Sequence, residues 1–237
     1  MDPGIGYYKL WLMLKRMFAE DWIPGRDAFL GILRDFHMLQ QRPKPRHTTN
    51  SNHRYHMYRN LIKGFIPTQA NQLWVSDITY IDLVGGCCYL HLVTDAYSHK
   101  IVGWCLSETL EAIHTLEALH MAISTTTADV LKGLIHHSDR GVQYCCNAYT
   151  DELKKYQVSI SMTEDYKPTD NAIAERVNGI LKTEVICRER RFKDMEEAKS
   201  RISGFIRFYN EKRPHSSIGY KVPDQAHLET GKQRQCW

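Results

Sequence analysis

The run Leu73-Trp74-Val75-Ser76-Asp77-Ile78-Thr79-Tyr80-Ile81-Asp82-Leu83 is dominated by β-branched and aromatic residues and reads as a strand. Asp77 interrupts it. Side chains alternate along a strand, so Asp77 shares a face with Val75, Thr79 and Ile81, where a carboxylate is costly unless something cationic meets it. Two further strands are expected at residues 88–94 and 101–106, separated by Gly85-Gly86 and by Tyr97-Ser98-His99. Short turns between successive strands make an antiparallel meander.

Downstream the periodicity changes. A helix is expected over residues 110–124, with Ile113, Leu116, Leu119 and Ile123 as its buried stripe, then a short strand at 133–137. A helix at 148–156 and a strand at 158–162 follow. A long helix opening near Thr169 or Asp170 and running past Lys182 comes next, and the last, 194–209, carries Ala198, Ile202, Phe205 and Tyr209 on one face. The order βββαβαβα plus a further helix predicts an α/β fold, a mixed five-stranded sheet covered by helices on both sides.

Upstream, residues 7–19 place Leu10, Leu14 and Met17 at helical spacing, and Pro24-Gly25 break the pattern. A second short helix follows, with Asp27 placed as its N-cap. Phe29, Leu30, Leu33 and Phe36 form its apolar stripe and leave Arg26, Arg34 and His37 for another face. Two short helices across a tight turn suit either a DNA-binding helix-turn-helix or a plain helical hairpin packed on the main domain. Residues 40–72 lack periodicity and begin with Arg42, Lys44 and Arg46 among prolines, which reads as a basic linker. His47, His53 and His56 fall in it without paired cysteines, so a zinc knuckle is not indicated. The expected organisation is a helix-turn-helix-like segment at 1–39, the linker at 40–72 and the main domain at 73–237.

Charge sharpens this division. The formal net charge is only +4 over 237 residues, but residues 36–76 hold six basic and no acidic side chains, 77–175 hold six basic and fourteen acidic, and 176–213 hold eleven basic and six acidic. An acidic middle between basic flanks is the pattern expected where carboxylates bind metal and the flanks hold phosphates. The seven cysteines contain no CxxC pair, which argues against a disulfide framework or a zinc ribbon and for a reducing compartment. No apolar run approaches the roughly 20 residues of a membrane span, so a soluble intracellular protein with no membrane partner is expected.

Three carboxylates stand out. Asp77 lies within a strand. Asp139 directly follows the expected strand ending His136-His137-Ser138, at the end where open α/β sheets place ligands. Glu175 lies in the first turns of a helix, about 160° from Val177 and so outside the apolar stripe of Ile173, Val177 and Leu181. Lys182 is turned by only about 20° from Glu175 and sits about 10 Å along the axis, so the two share a face. Acids converging from two strands and a helix suit a pair of hard divalent cations, Mg²⁺ or Mn²⁺, of the kind that assists phosphoryl transfer.

These segments resemble a known family. Trp74 to Tyr80, His136-His137-Ser138-Asp139-Arg140-Gly141-Val142-Gln143-Tyr144, and Asp170-Asn171-Ala172-Ile173-Ala174-Glu175 with Leu181-Lys182-Thr183-Glu184 are similar to the core of DDE insertion-sequence transposases. The likeness is to the second-frame product of insertion-sequence family three, relatives of retroviral integrases. Between Asp139 and Glu175 lie 35 residues, the spacing of the D,D(35)E signature. The run Tyr209-Asn210-Glu211-Lys212-Arg213-Pro214-His215 also resembles the family's ending.

The resemblance implies an RNase H-like fold in which Asp77, Asp139 and Glu175 hold two Mg²⁺ or Mn²⁺ ions. It implies cleavage at element ends followed by transfer of the freed 3′-hydroxyl into target DNA. Lys182, with Arg26, Arg34, Arg42, Lys44, Arg46, Arg213 and His215, is expected at DNA. The implied partners are terminal inverted repeats, target DNA, further copies of the chain and the upstream-frame product, in a bacterial cytoplasm at the nucleoid. Family members usually act as frameshift fusions with an upstream recognition segment, so this chain alone is expected to lack part of end recognition. Two alternatives stand beside this reading: an RNase H-like nuclease that does not join strands, and a non-enzymatic DNA-binding regulator of transposition.

Overall fold

The computed structural model describes residues 6–18, 22–39, 53–164, 171–186 and 191–233. β1 (Leu73–Leu83), β2 (Gly86–Asp95) and β3 (Ile101–Ser107) form the expected meander. The β1–β2 register runs from Trp74 opposite Asp95 to Leu83 opposite Gly86. The tight connection is completed by Gly85 at φ 92°, a left-handed conformation that glycine adopts without strain. β4 (Ile135–Ser138) and β5 (Ser159–Met162) add in parallel beside β1, giving the order β3-β2-β1-β4-β5. The sheet is therefore mixed and five-stranded, with β1 at its centre.

Helices cover both faces, as a sheet buried on both sides requires. On one face α3 (Ala112–Ser124), the one-turn α4 (Ala128–Leu131) and α5 (Val142–Cys145), and α6 (Asn147–Lys155) close over Trp74, Val93, Val102, Leu134 and Ile160. On the other, α7 (Ala172–Leu181) and α8 (Met195–Glu211) cover Ile81, Leu90, Leu92 and Ile101. Each fully buried Leu or Ile in these layers contributes roughly 1.5–3 kcal/mol of transfer free energy. α7 passes into a π-helical turn at Lys182–Ile186. α8 opens on Asp194, whose side chain accepts from the Glu197 amide at 2.9 Å. A 3₁₀ turn at Ser216–Ile218 and the one-turn α9 (Pro223–Ala226) complete the described elements.

Some expectations are corrected. The buried face of α3 is Thr115, Ala118, Leu119 and Ala122, while Ile113 is 53% exposed. Leu119 of the expected stripe is fully buried and Leu116 and Ile123 pack at its margin. Ala118 and Ala122 take the centre of the contact because β3 approaches closely: a Cβ on Gly103 would sit 2.1 Å from the Ala118 carbonyl oxygen. Asp27 is not the N-cap of the second helix. Gly25 takes that position without a side-chain cap, and Asp27 in the first turn pairs with Arg26 at 2.9 Å. Thr169 and Asp170 lie outside the described residues, and the helix is seen from Ala172.

The N-terminal helices α1 (Tyr7–Met17) and α2 (Arg26–Asp35) are clasped by the Trp11 indole N–H donating to the Pro24 carbonyl at 2.8 Å. α1 docks on the main body through Tyr8, edge-on to Tyr220 with ring centres 5.6 Å apart. α2 buries Phe29 and Leu33. Residues 53–72 form no long helix or strand, yet they are pinned to β5 and its continuation. The Leu61 amide donates to Ser161 Oγ at 2.9 Å, the Asn60 amide to Glu164 at 3.0 Å, and Lys63 pairs with Glu164 at 2.5 Å.

Candidate active site

Asp77 sits at the middle of the central strand. Its Oδ1 accepts from the Ile78 amide at 2.9 Å and its Oδ2 from the Asn178 amide nitrogen at 2.6 Å. Burial, reinforced by the negative charges of Asp139 and then Glu175, pushes its carboxyl up to about 7. Asp139 follows β4, and its Oδ1 accepts from the Gly141 amide at 2.9 Å. The turn is tight, since a Cβ on Gly141 would meet that same oxygen at 3.0 Å. Glu175 faces outward from α7, and partial burial raises its carboxyl above the ordinary glutamate range.

Asp77 and Asp139 line one open cleft with Ile78, Tyr80, Leu110, Gly141, Gln143 and Tyr144. Gln143 is held by donating to the Leu110 carbonyl at 3.0 Å. Burial first, and then repulsion between the carboxylates, disfavours their charged forms here, and a bound cation inverts that balance. The donor set is all carboxylate oxygen, which fits hard ions such as Mg²⁺ or Mn²⁺ rather than thiophilic ones.

Beneath the cleft lies a neutral polar layer. The His136 ring contacts Ser76 Oγ at 2.8 Å and the Tyr149 hydroxyl at 2.9 Å, and burial pushes it down to about 3. His137 Nδ1 lies 2.8 Å from Ser161 Oγ. On the opposite side Asn171 donates to the Ser76 carbonyl at 3.1 Å, so Asn171 and Asn178 both tie α7 to β1.

This arrangement has relatives. Residues 67–168 match one Integrase core domain family and residues 156–223 a second family of that description. The chain is 38% identical over 214 residues to the insertion element IS600 uncharacterized 31 kDa protein of Shigella sonnei, covering 89% of this chain and 78% of that one.

The chain belongs to the DDE insertion-sequence transposases.

It is also 34% identical over 166 residues to the transposase InsF for insertion sequence IS3A of Escherichia coli, covering 70% of this chain and 57% of that protein. Among solved structures, this transposase superimposes on the simian T-cell lymphotropic virus intasome bound to PP2A regulatory subunit B56 gamma, with a TM-score of 0.57 at 19% identity. That match covers 90% of this chain and 71% of that one. The HTLV-2 integrase catalytic core domain in complex with magnesium matches with a TM-score of 0.51 at 20% identity, over 67% and 97% of the two chains. These likenesses show the shared RNase H-like integrase fold.

The remaining residues expected at DNA are placed variously in the transposase. Lys182 closes α7 at φ −58°, ψ −43°, so helical geometry carries it seven residues beyond Glu175. Arg34 is exposed on α2, and Arg26 is exposed and paired with Asp27. Arg42, Lys44 and Arg46 lie outside the described residues.

Arg213 and His215 are not at the surface. They are 1% and 2% exposed. The Arg213 guanidinium forks onto Glu184, with Nε donating to Oε2 at 2.7 Å and Nη2 donating to Oε1, and it lies 5.8 Å from the centre of the Tyr209 ring. A buried guanidinium must be paired, and this one is committed within the fold, so the DNA-contact expectation for both residues is withdrawn. Burial, then the charge of Arg213, holds His215 well below the usual histidine range.

The sequence reading missed Asn178 and Tyr144. Asn178 had a usable signal, being a buried amide three residues from Glu175 on an otherwise apolar helix stripe. Tyr144, buried and held well above its ordinary range by burial and then the Asp77 and Asp139 charges, closes the segment that begins at His136, but nothing local in the sequence marks it as facing the two acids.

Proposed function

We propose that this chain is the catalytic core of a transposase that cuts DNA at element ends and transfers the freed 3′-hydroxyl into target DNA. In this reading Asp77, Asp139 and Glu175 hold two Mg²⁺ or Mn²⁺ ions. What carries it is the convergence of Asp77 and Asp139 on one cleft, with Glu175 close enough for its charge to raise Asp77. Magnesium in the HTLV-2 core supports the choice of ion. Bound there, the ions supply Lewis-acid activation of the attacking oxygen and neutralise charge at the scissile phosphate.

The protein's own residues keep that cleft in shape. Asn178 and the Ile78 amide orient Asp77, and the Gly141 amide orients Asp139. Tyr144 and Ile78 form a wall against which a backbone phosphate would rest. In the first step water displaces the 3′-oxygen of the element end, leaving a 3′-hydroxyl and a 5′-phosphate. In the second that hydroxyl attacks a target phosphodiester and releases a target 3′-hydroxyl, so one P–O bond forms for each one broken and no protein atom becomes covalently attached. Lys182 and the basic stretch at 42–46 bind DNA backbone in this proposal, Arg34 of α2 contacts the terminal repeat, and several copies assemble on DNA with the upstream-frame product. The domain division at about residues 39 and 72 belongs to the same proposal.

The test is Mg²⁺-dependent nicking and joining of DNA carrying the element's ends. Asp77→Asn, Asp139→Asn and Glu175→Gln are expected to abolish both while far-UV circular dichroism stays unchanged. Undiminished joining by these variants overturns the assignment, and cleavage without joining by the wild type selects the nuclease reading.

A further inference from the structure

A second cluster of ligating side chains lies away from the carboxylate cleft. Cys105 stands on the edge strand β3, and His114 and Glu117 occupy the first turns of α3, three residues apart and therefore on neighbouring positions of one helix face. Cys105 Sγ is 2.9 Å from Glu117 Oε2, and His114 Nδ1 is 3.6 Å from the same oxygen. One ligand atom from each residue falls within 4.8 Å of the other two. None of the three lines the cleft that holds Asp77 and Asp139.

We propose that Cys105, His114 and Glu117 form a second metal site that takes a borderline transition ion, with Zn²⁺ the natural occupant. The donor set decides the ion. A thiolate and an imidazole favour zinc over magnesium, whereas the triad offers oxygen alone, so the two sites sort two kinds of metal. Tetrahedral zinc, with bonds of about 2.0–2.3 Å, holds its ligand atoms about 3.2–3.8 Å apart. The His114–Glu117 separation already lies in that range, and the Cys105–Glu117 contact has only to open slightly.

In the ion-free protein Cys105 keeps its proton and donates it to Glu117; burial, then that hydrogen bond, pushes the thiol up to about 12. Metal binding therefore forms the S–metal bond and releases one proton to solvent. His91, beside His114, does not compete, because its Nδ1 lies 2.9 Å from Thr115 Oγ1 and its Nε2 lies 3.0 Å from Ser107 Oγ. Side-chain exposures of 26% for His114 and 55% for Glu117 leave the site reachable and a fourth position open to water. The ion ties the edge strand β3 to the start of α3.

The experiment uses the full chain, stripped with chelator and titrated with Zn²⁺ alone and with Co²⁺ as a spectroscopic stand-in, without magnesium. The expected result is one tight equivalent, a thiolate-to-cobalt charge-transfer band, and a thermal midpoint that rises with zinc. Cys105→Ser is expected to lose the band and that equivalent, and Glu117→Gln, altering an exposed side chain that leaves folding intact, to weaken zinc at least tenfold. The Asp77→Asn/Asp139→Asn double variant is expected to keep both band and equivalent. Absence of the band, its persistence in Cys105→Ser, unchanged affinity in Glu117→Gln, or loss of the tight zinc in the double variant each overturns the proposal. The triad assignment is untouched by any of these outcomes, since it is read by DNA joining in magnesium.

Discussion

Asn178 donates its amide hydrogen to Asp77 Oδ2 across 2.6 Å, joining α7 to the central strand at the carboxylate on which the cleft is built. With the Ile78 amide on Oδ1, the bond fixes the orientation of the Asp77 carboxylate and ties β1 to the helix that carries Glu175. Replacing Asn178 with Leu removes the donor while roughly keeping the volume. The expected outcome is a 10–100-fold loss of strand joining at limiting Mg²⁺, the usual scale for removing a partner of a metal ligand. Raised magnesium recovers part of it. A magnesium titration of joining checks this, and an unchanged half-saturation excludes the positioning role.

The raised Asp77 carboxyl makes stability depend on pH. In the ion-free protein it titrates at about 7, against about 3.9 in an unfolded chain. Between those values the folded state holds a proton that the unfolded state has released, so stability falls as pH rises from about 4 to about 7 and then levels off. The contribution is at most about 4 kcal/mol, and solvent reaching the cleft reduces it. Thermal unfolding in chelator at pH 5 and pH 8 is expected to show a larger drop for the wild type than for Asp77→Asn. Equal drops contradict it.

How much of this was legible in the sequence follows from the range of the forces involved. The strand Leu73–Leu83 and the stripe Ala198, Ile202, Phe205 and Tyr209 were readable because each is a local period imposed by one buried face. Asp77, Asp139 and Glu175 stood out by their places on a strand, at a strand end and off a helix stripe, while choosing them over ordinary surface acids rested on the family resemblance, which also supplied the 35-residue spacing. The face of α3 was read in part: Leu119 is buried and Leu116 and Ile123 pack beside it, but Ile113 is exposed. Ala118 and Ala122 centre the contact, because Gly103, nine residues before that helix begins, lets the backbones approach closely. Arg213 was misread because Glu184, its partner, lies 29 residues upstream, and a run of Glu-Lys-Arg-Pro-His looks like surface until that partner is seen.

The Arg213–Glu184 pair should behave as a buried ion pair. Both side chains are nearly inaccessible, at 2% and 4%, so deleting one leaves the other charged and desolvated. Glu184→Gln and Arg213→Met are each expected to cost about 3–5 kcal/mol in denaturant unfolding. The double replacement is expected to cost less than the sum of the two. Strict additivity contradicts the pairing.

Gly103 carries a second stability prediction. A methyl group there meets backbone atoms, with the Ala118 carbonyl oxygen at 2.1 Å and the Ala122 amide nitrogen at 2.8 Å, and neither can move without shifting α3. Gly103→Ala is expected to cost about 1–3 kcal/mol or more, and Gly103→Val to prevent stable folding. Chemical denaturation measures the first and soluble yield the second. A wild-type midpoint for Gly103→Ala contradicts the close approach of β3 and α3.

Lys182 distinguishes a phosphate contact from a part of the metal centre. It follows Glu175 by seven residues at the end of α7, in helical conformation, so in the proposed function its ammonium meets DNA beside the carboxylates without ligating metal. Lys182→Ala is then expected to weaken DNA binding similarly across sequences and to lower the slope of log affinity against log salt by about 1, the signature of one lost phosphate contact. Magnesium half-saturation of the joining reaction at saturating DNA is expected to stay unchanged. Fluorescence anisotropy across a salt series measures the slope. An unchanged slope with a shifted magnesium dependence would place Lys182 with the metal ligands instead of with the DNA.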